Sequence, residues 1–160
     1  MTPKNKKRIR ILLIAGAVGF AALQVFPAKV LGVHTEDIGN NPPARFKLEA
    51  PPEVEAILRR SCFDCHSNET VWPAYSYVAP ISWLVVHDTL DGRRQLNFSA
   101  WGDAKLSGRE ARELNPNKIR REISSGSMPP RIYLLTHPEA RLTDAEKQQL
   151  IDGLIASLHR

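Results

Sequence analysis

An all-α fold is the expectation from three features of the sequence. Apolar residues recur at helical spacing in several short segments, helix-opening prolines and one capping box precede them, and alternating strand patterns are weak throughout. With 160 residues there is room for one domain of ordinary size plus extras. The expected order is a basic cytoplasmic tail (1–10), a transmembrane helix (11–26), a proline-rich linker (27–51) and a small helical domain (52–160).

The basic tail accounts for the net charge. Lys4, Lys6, Lys7, Arg8 and Arg10 supply +5, which is the formal charge of the whole chain. Beyond residue 10, basic and acidic residues balance at 17 each, leaving no net field for nucleic acid, and no DNA or RNA partner is expected. Residues 11–26 (ILLIAGAVGFAALQVF) are apolar except for Gln24. A basic cluster before an apolar run places the N-terminus in the cytoplasm. The run is short for a span, although Arg10 can snorkel. The rival is a cleaved signal peptide ending at Gly19-Phe20-Ala21; the apolar run continues past Ala21 to Val25 and Phe26, which favours an uncleaved anchor.

The linker carries the pairs Pro42-Pro43 and Pro51-Pro52 and reads as a semi-extended tether, with His34 a solvated residue in it. Pro52 opens a helix to about Arg60, with Glu53 and Glu55 at its positive end and Val54, Ile57 and Leu58 on one stripe. A second helix is expected from Pro80 to about Leu90, ended by Asp91-Gly92. Leu106–Leu114 and Pro116–Ser124 form two short helices, the latter stopped at Gly126. Thr143-Asp144-Ala145-Glu146 is a capping box. It opens a last helix with Leu150, Ile151, Leu154, Ile155 and Leu158 on its apolar face.

The chemistry centres on Ser61-Cys62-Phe63-Asp64-Cys65-His66-Ser67, which holds both cysteines of the chain. On a helical turn, positions i, i+3 and i+4 share a face. Cys62 and Cys65 can then take up the two vinyl groups of one haem as thioethers, and His66 can bind its iron from the proximal side, the pattern of c-type haem attachment. A structural zinc site would need four ligands, and no second cysteine pair exists. A thioredoxin-like dithiol would need a βαβ context that the sequence lacks.

The leading distal ligand is Met128, in Ser125-Gly126-Ser127-Met128-Pro129-Pro130, where Gly126 lets the backbone turn and the prolines stiffen the loop. The alternative is His87, whose use would give bis-histidine ligation. His137 and His159 read as surface residues. The aromatics Trp72, Tyr75, Tyr77, Trp83 and Trp101 offer bulk to cover a porphyrin. Arg93 and Arg94 offer charge to its propionates, and a carbonyl near Pro73 or Pro80 offers an acceptor to the second ring N–H of His66.

The order C-x-x-C-H, Met-Pro loop and capped C-terminal helix resembles class I cytochromes c. More closely, the chain resembles the bacterial membrane-anchored haem-binding domain family. The resemblance covers residues 50 to 160. It is carried by Cys62 to Thr70, Trp72-Pro73, Tyr75, Ala79 to Leu84, Gly92-Arg93, Leu96 to Ser99, Trp101, Met128-Pro129-Pro130 and His137 to Leu142. It implies haem binding and leaves the pathway open. The expected function is a monohaem c-type cytochrome with one covalent haem c. It would be anchored by a single pass in the inner membrane, its haem domain on the periplasmic side, carrying one electron between redox partner proteins rather than catalysing a reaction. The alternatives are a haem-based gas or redox sensor, and a peroxidase-like enzyme with an open distal site and His87 as its acid–base residue.

Overall fold

The computed structural model describes residues 3–25, 35–45, 48–100 and 115–158. Among them every regular element is helical and no strand occurs, as the sequence predicts. The α-helices are α1 (Pro3–Val25), α2 (Pro52–Ser61), α3 (Phe63–His66), α4 (Ile81–Gln95), α5 (Pro116–Ser124), α6 (Tyr133–Thr136) and α7 (Asp144–Leu158). Short 3-10 turns lie at Thr35–Asp37, Ala74–Tyr77, Phe98–Ala100 and Pro138–Ala140. The expected helix over Leu106–Leu114, together with Trp101, His34 and His159, falls outside the described residues. The chain forms two compact units, Met1–Asn40 with Trp72–His87, and Asn41–Val71 with Asp88–Arg160.

In the first unit, α1 is 23 residues long and none of its residues is buried. At 1.5 Å per residue it extends about 34 Å, of which the apolar stretch after Arg10 covers about 22 Å, short of a hydrocarbon core of about 30 Å unless Arg10 snorkels and the bilayer thins. It is the one described helix long and apolar enough to cross a membrane. Near its end, Gln24 makes two hydrogen bonds to the backbone of Ala79: its Nε2 donates to the carbonyl (3.1 Å), and its Oε1 accepts from the N–H (3.0 Å). Gly39, at φ +79°, lies against the Tyr77 hydroxyl, 3.2 Å from where a Cβ would stand.

The second unit is built on α2, α5 and α7. Pro52 at the start of α2 needs no N–H partner there, and the helix runs from Glu53 and Glu55 to Arg59 and Arg60, matching its dipole. Val54, Ile57 and Leu58 of α2 pack with Ile119 and Ile123 of α5 and Leu150, Ile151 and Leu154 of α7. Leu48 joins this core, and Asn41 donates to the Thr70 carbonyl (2.9 Å). Gly153 sits against Val54: a Cβ would meet the valine methyl at 2.6 Å, so α2 and α7 cross where one side has no side chain.

The capping box forms as read. The Glu146 carboxylate accepts from the Thr143 N–H (2.8 Å), and the Glu146 N–H donates to the Thr143 hydroxyl (3.2 Å). Glu146 also pairs with Arg60 (2.7 Å), tying α7 to α2. The Thr143 amide and then the Arg60 guanidinium hold this carboxyl down, at about 2 against an ordinary 4.5. A depressed pKa contributes stability that is present above the ordinary value and lost as pH falls through the folded one. Glu146→Gln is expected to cost about 1 kcal/mol at neutral pH, solvent keeping the figure small. That difference should close between the two pKa values in acid. Urea denaturation of both proteins at neutral and acid pH measures it.

One element departs from the expectation. Helix α4 does not stop at Asp91-Gly92 but continues to Gln95. Glycine is a poor helix residue in isolation, and here packing overrides that preference. A Cβ on Gly92 would stand 2.5 Å from the carbonyl oxygen of Cys65 and 3.1 Å from its Cβ. The glycine is there to let the helix approach the cysteine turn.

Candidate functional site

The site lies within the second unit and begins where α2 ends. At Cys62 the backbone leaves the helix (φ −134°, ψ −35°), and one further turn, α3, carries Phe63 to His66. The amides of Cys65 and His66 both donate to the Cys62 carbonyl (3.3 and 2.9 Å), closing the C-x-x-C-H segment on itself. Phe63 turns inward and stacks on Phe98 (5.7 Å between centroids), and Phe98 in turn meets the His66 ring edge-on (6.4 Å). Both cysteines are free and partly buried. Burial first, then the neighbouring Cys65, pushes the Cys62 thiol up to about 12. Burial and then Asp64 push Cys65 up to about 11. Both are therefore protonated thiols at neutral pH, unlike the thiolates of a metal site or a reactive dithiol.

The His66 ring is held by the end of α4. Its Nδ1 lies 3.0 Å from the carbonyl oxygens of both Gly92 and Leu96. Carbonyls only accept, so Nδ1 carries the hydrogen and Nε2 keeps its lone pair. Burial lowers the imidazole pKa, against the opposing effect of the two carbonyls, and favours this neutral form. The acceptors are thus carbonyls at the C-terminal end of α4, that of Gly92 accepting from the Leu96 amide as well (2.9 Å), not a carbonyl beside Pro73 or Pro80. Gly92→Ala is expected to lose about 1–3 kcal/mol through the clash with the Cys65 carbonyl, despite alanine's better helix propensity. Denaturant midpoints compare the two.

Arg93 has a role other than the one expected of it. Its guanidinium donates to the Ser67 carbonyl, the Thr70 hydroxyl and the Asn41 side chain, each at 2.8 Å, clamping the loop that follows the motif. Arg94 pairs with Asp91 (3.0 Å). Asp64, inside the motif, accepts from Tyr133 (2.7 Å) and from the Val71 amide (3.0 Å). Tyr133 stacks on His137 (4.3 Å), whose Nδ1 meets Glu139 (3.1 Å), so His137 is packed rather than simply solvated. The sequence signal for this clamp was thin. Gly92-Arg93 stands out as a pair in the family resemblance, but read locally Gly92 is a helix stop and Arg93 a cation offered to a propionate.

Met128 lines the same cleft as Cys62 and His66. After α5, Gly126 takes φ +73°, and the Glu122 carbonyl accepts from the amides of both Ser127 and Met128 (3.1 Å each). The loop therefore folds back on the helix end. Cys62, His66 and Met128 line one cleft with Leu96, Phe98, Ile119, Ile123, Leu150 and Leu154, and Gln95, Lys118 and Glu122 supply its polar part. The cleft holds about 600 Å³ of atom-free space, its open mouth included. Cys65 lies beside it in α3, touching Gly92. His87, by contrast, is exposed on the part of α4 that belongs to the first unit, which also holds Tyr77, exposed, and Trp72, Tyr75 and Trp83, half-buried.

These residues fit a haem. A neutral imidazole with an oriented lone pair and a thioether share a mainly apolar cleft, and two un-ionised thiols lie in the turn that bears the imidazole. No group of three or more His, Cys, Asp or Glu residues suited to a bare metal ion occurs among the described residues. Fold and site together define a small helical haem-binding protein. The chain belongs to the haem-binding domain family, whose model matches residues 18–156. Over 100 residues it is 27% identical to the cytochrome c peroxidase Ccp of Escherichia coli (strain K12), a match covering 62% of this chain and 22% of that protein. The chain thus aligns with less than a quarter of that relative's length. No solved structure matches it.

Proposed function

We propose that this protein is a membrane-anchored monohaem c-type cytochrome that carries single electrons outside the cytoplasm. Cys62 and Cys65 attach the porphyrin, His66 is the proximal iron ligand and Met128 the distal one. Attachment would add each thiol across one vinyl double bond, with a carbon–sulfur bond formed, the thiol hydrogen on the neighbouring carbon and no oxidant needed. The bound haem supplies a one-electron ferric/ferrous couple. The protein supplies the ligand field and a dry cleft. The Gly92 and Leu96 carbonyls orient His66 and make it a stronger donor, while a Met128 thioether favours ferrous iron and raises the potential. Lys118, on the cleft, stands where Arg93 and Arg94 had been expected, as the cation for a propionate.

The observation that carries this reading is that Met128 and His66 line one cleft, so both could serve a haem bound there, which would leave its iron without an open position for catalysis. The basic first turns of α1 support an anchor with the helical domain on the periplasmic side of the inner membrane, facing redox partner proteins. A second reading, a peroxidase-like enzyme, is favoured by the peroxidase among its relatives, and a haem-based gas or redox sensor is the third. Both need an open sixth position. Absorption spectra of the purified full-length protein separate them: low-spin iron in both oxidation states, with a pyridine haemochrome of thioether-linked haem, is the expected result. A high-spin ferrous form that binds CO at once would reject the carrier.

A further inference from the structure

The first unit leaves one apolar face uncovered, and it stands beside the end of the membrane helix. Ile81 and Leu84, three apart, share a face of the first turn of α4, and Tyr77 and Val78 lie in the short segment that leads into it. All four are exposed, Tyr77 by 59%, Ile81 by 50%, Leu84 by 45% and Val78 by 38%. Their neighbours Ser76, Ala79, Ser82 and Val86 are buried, so the segment is folded and its orientation fixed. A cluster of exposed large side chains on a packed element points to something that covers it.

The position of that face is set by Gln24, the lone polar side chain of the apolar run 11–26. It lies one residue from the end of α1, and its side-chain amide pairs with both the N–H and the carbonyl of Ala79. Ala79, itself buried, lies in the chain between the exposed Val78 and Ile81. The pairing therefore fixes residues 77–84 at the level where α1 leaves the hydrocarbon. That is the zone in which tyrosine and tryptophan are enriched and amphipathic segments lie with apolar faces in the headgroup boundary. It also gives a reason for a polar residue near the end of the run: an unpaired amide would be costly at that depth, and both its groups are satisfied.

We infer that Tyr77, Val78, Ile81 and Leu84 form a membrane-interface surface, which the Gln24–Ala79 pairing holds in the lipid headgroup region beside α1. The occupant is the phospholipid bilayer that α1 crosses, and the inference rests on reading α1 as a retained anchor. The surface would restrict how the segment tilts against the membrane, an orienting role for a stretch that a minimal haem domain does not require.

The test uses the full-length holoprotein in phosphatidylethanolamine–phosphatidylglycerol vesicles doped with a phospholipid that carries a photoactivatable diazirine near the glycerol end of its acyl chain. After irradiation, lipid adducts are mapped by peptide mass spectrometry. Adducts are expected on α1 and on the peptide containing residues 77–84. In Gln24→Ala, yield on 77–84 should fall severalfold while α1 labels as before. Adducts on α1 with none on 77–84 would overturn the inference and leave that face to a protein partner. Equal labelling of 77–84 in wild type and Gln24→Ala would overturn the role of the pairing. Absence of adducts on α1 itself would instead show that the anchor reading has failed, and the inference with it.

Discussion

Met128→Ala is expected to convert the haem from six-coordinate low-spin to a form with an open distal position. In the wild type, a sulfur on ferric iron gives a weak near-infrared charge-transfer band, and the variant should lose it entirely. The potential should fall, because the ligand removed is the one that favours ferrous iron. The ferrous variant should become high-spin and bind CO rapidly. Met128 is 38% exposed and does not belong to the buried core, so the fold should survive and the change be confined to the iron. His87→Ala should leave spectrum and potential nearly unchanged, since that imidazole is exposed on α4. A silent Met128→Ala with a high-spin His87→Ala would establish bis-histidine ligation. Two silent variants of an already high-spin protein would transfer the case to the sensor or peroxidase.

Replacing both thiols, Cys62→Ala with Cys65→Ala, should abolish covalent attachment completely. In the wild type the haem is expected to remain with the polypeptide through denaturing electrophoresis. In the double variant acidic organic solvent should extract all of it. The cleft and His66 remain in that variant, so residual haem binding is expected to be reversible, and haem stain that persists on the denatured chain would contradict the thioether assignment. Because burial keeps both thiols protonated, neither is poised to act as a thiolate nucleophile.

The site was legible in sequence where its chemistry is local. C-x-x-C-H is a contiguous turn, and Thr143 to Glu146 cap a helix with their own side chains, so residue type and spacing suffice. The same is true of Pro52 and Pro116 at helix starts, and of Gly126, whose positive φ suits the turn before Met128. Local reading failed at Gly92, because a glycine followed by no further helix signal resembles a stop. Its actual reason is the Cys65 carbonyl 27 residues earlier in the chain.

By itself, then, the sequence determined α2, α5 and α7, the apolar segment before them and the turn that carries Cys62, Cys65 and His66, because backbone hydrogen bonds and side-chain periodicity act over a few residues. Only the tertiary structure decided which carbonyls hold His66, that Arg93 clamps the motif's loop, and that Leu48 enters the core. It also decided that Gln24 grips the backbone of Ala79, 55 positions away. Each of these depends on an unpaired donor, a missing Cβ or an uncovered apolar surface meeting its complement across the fold. Such complements are set by close packing in three dimensions and leave no spacing in the chain to be read.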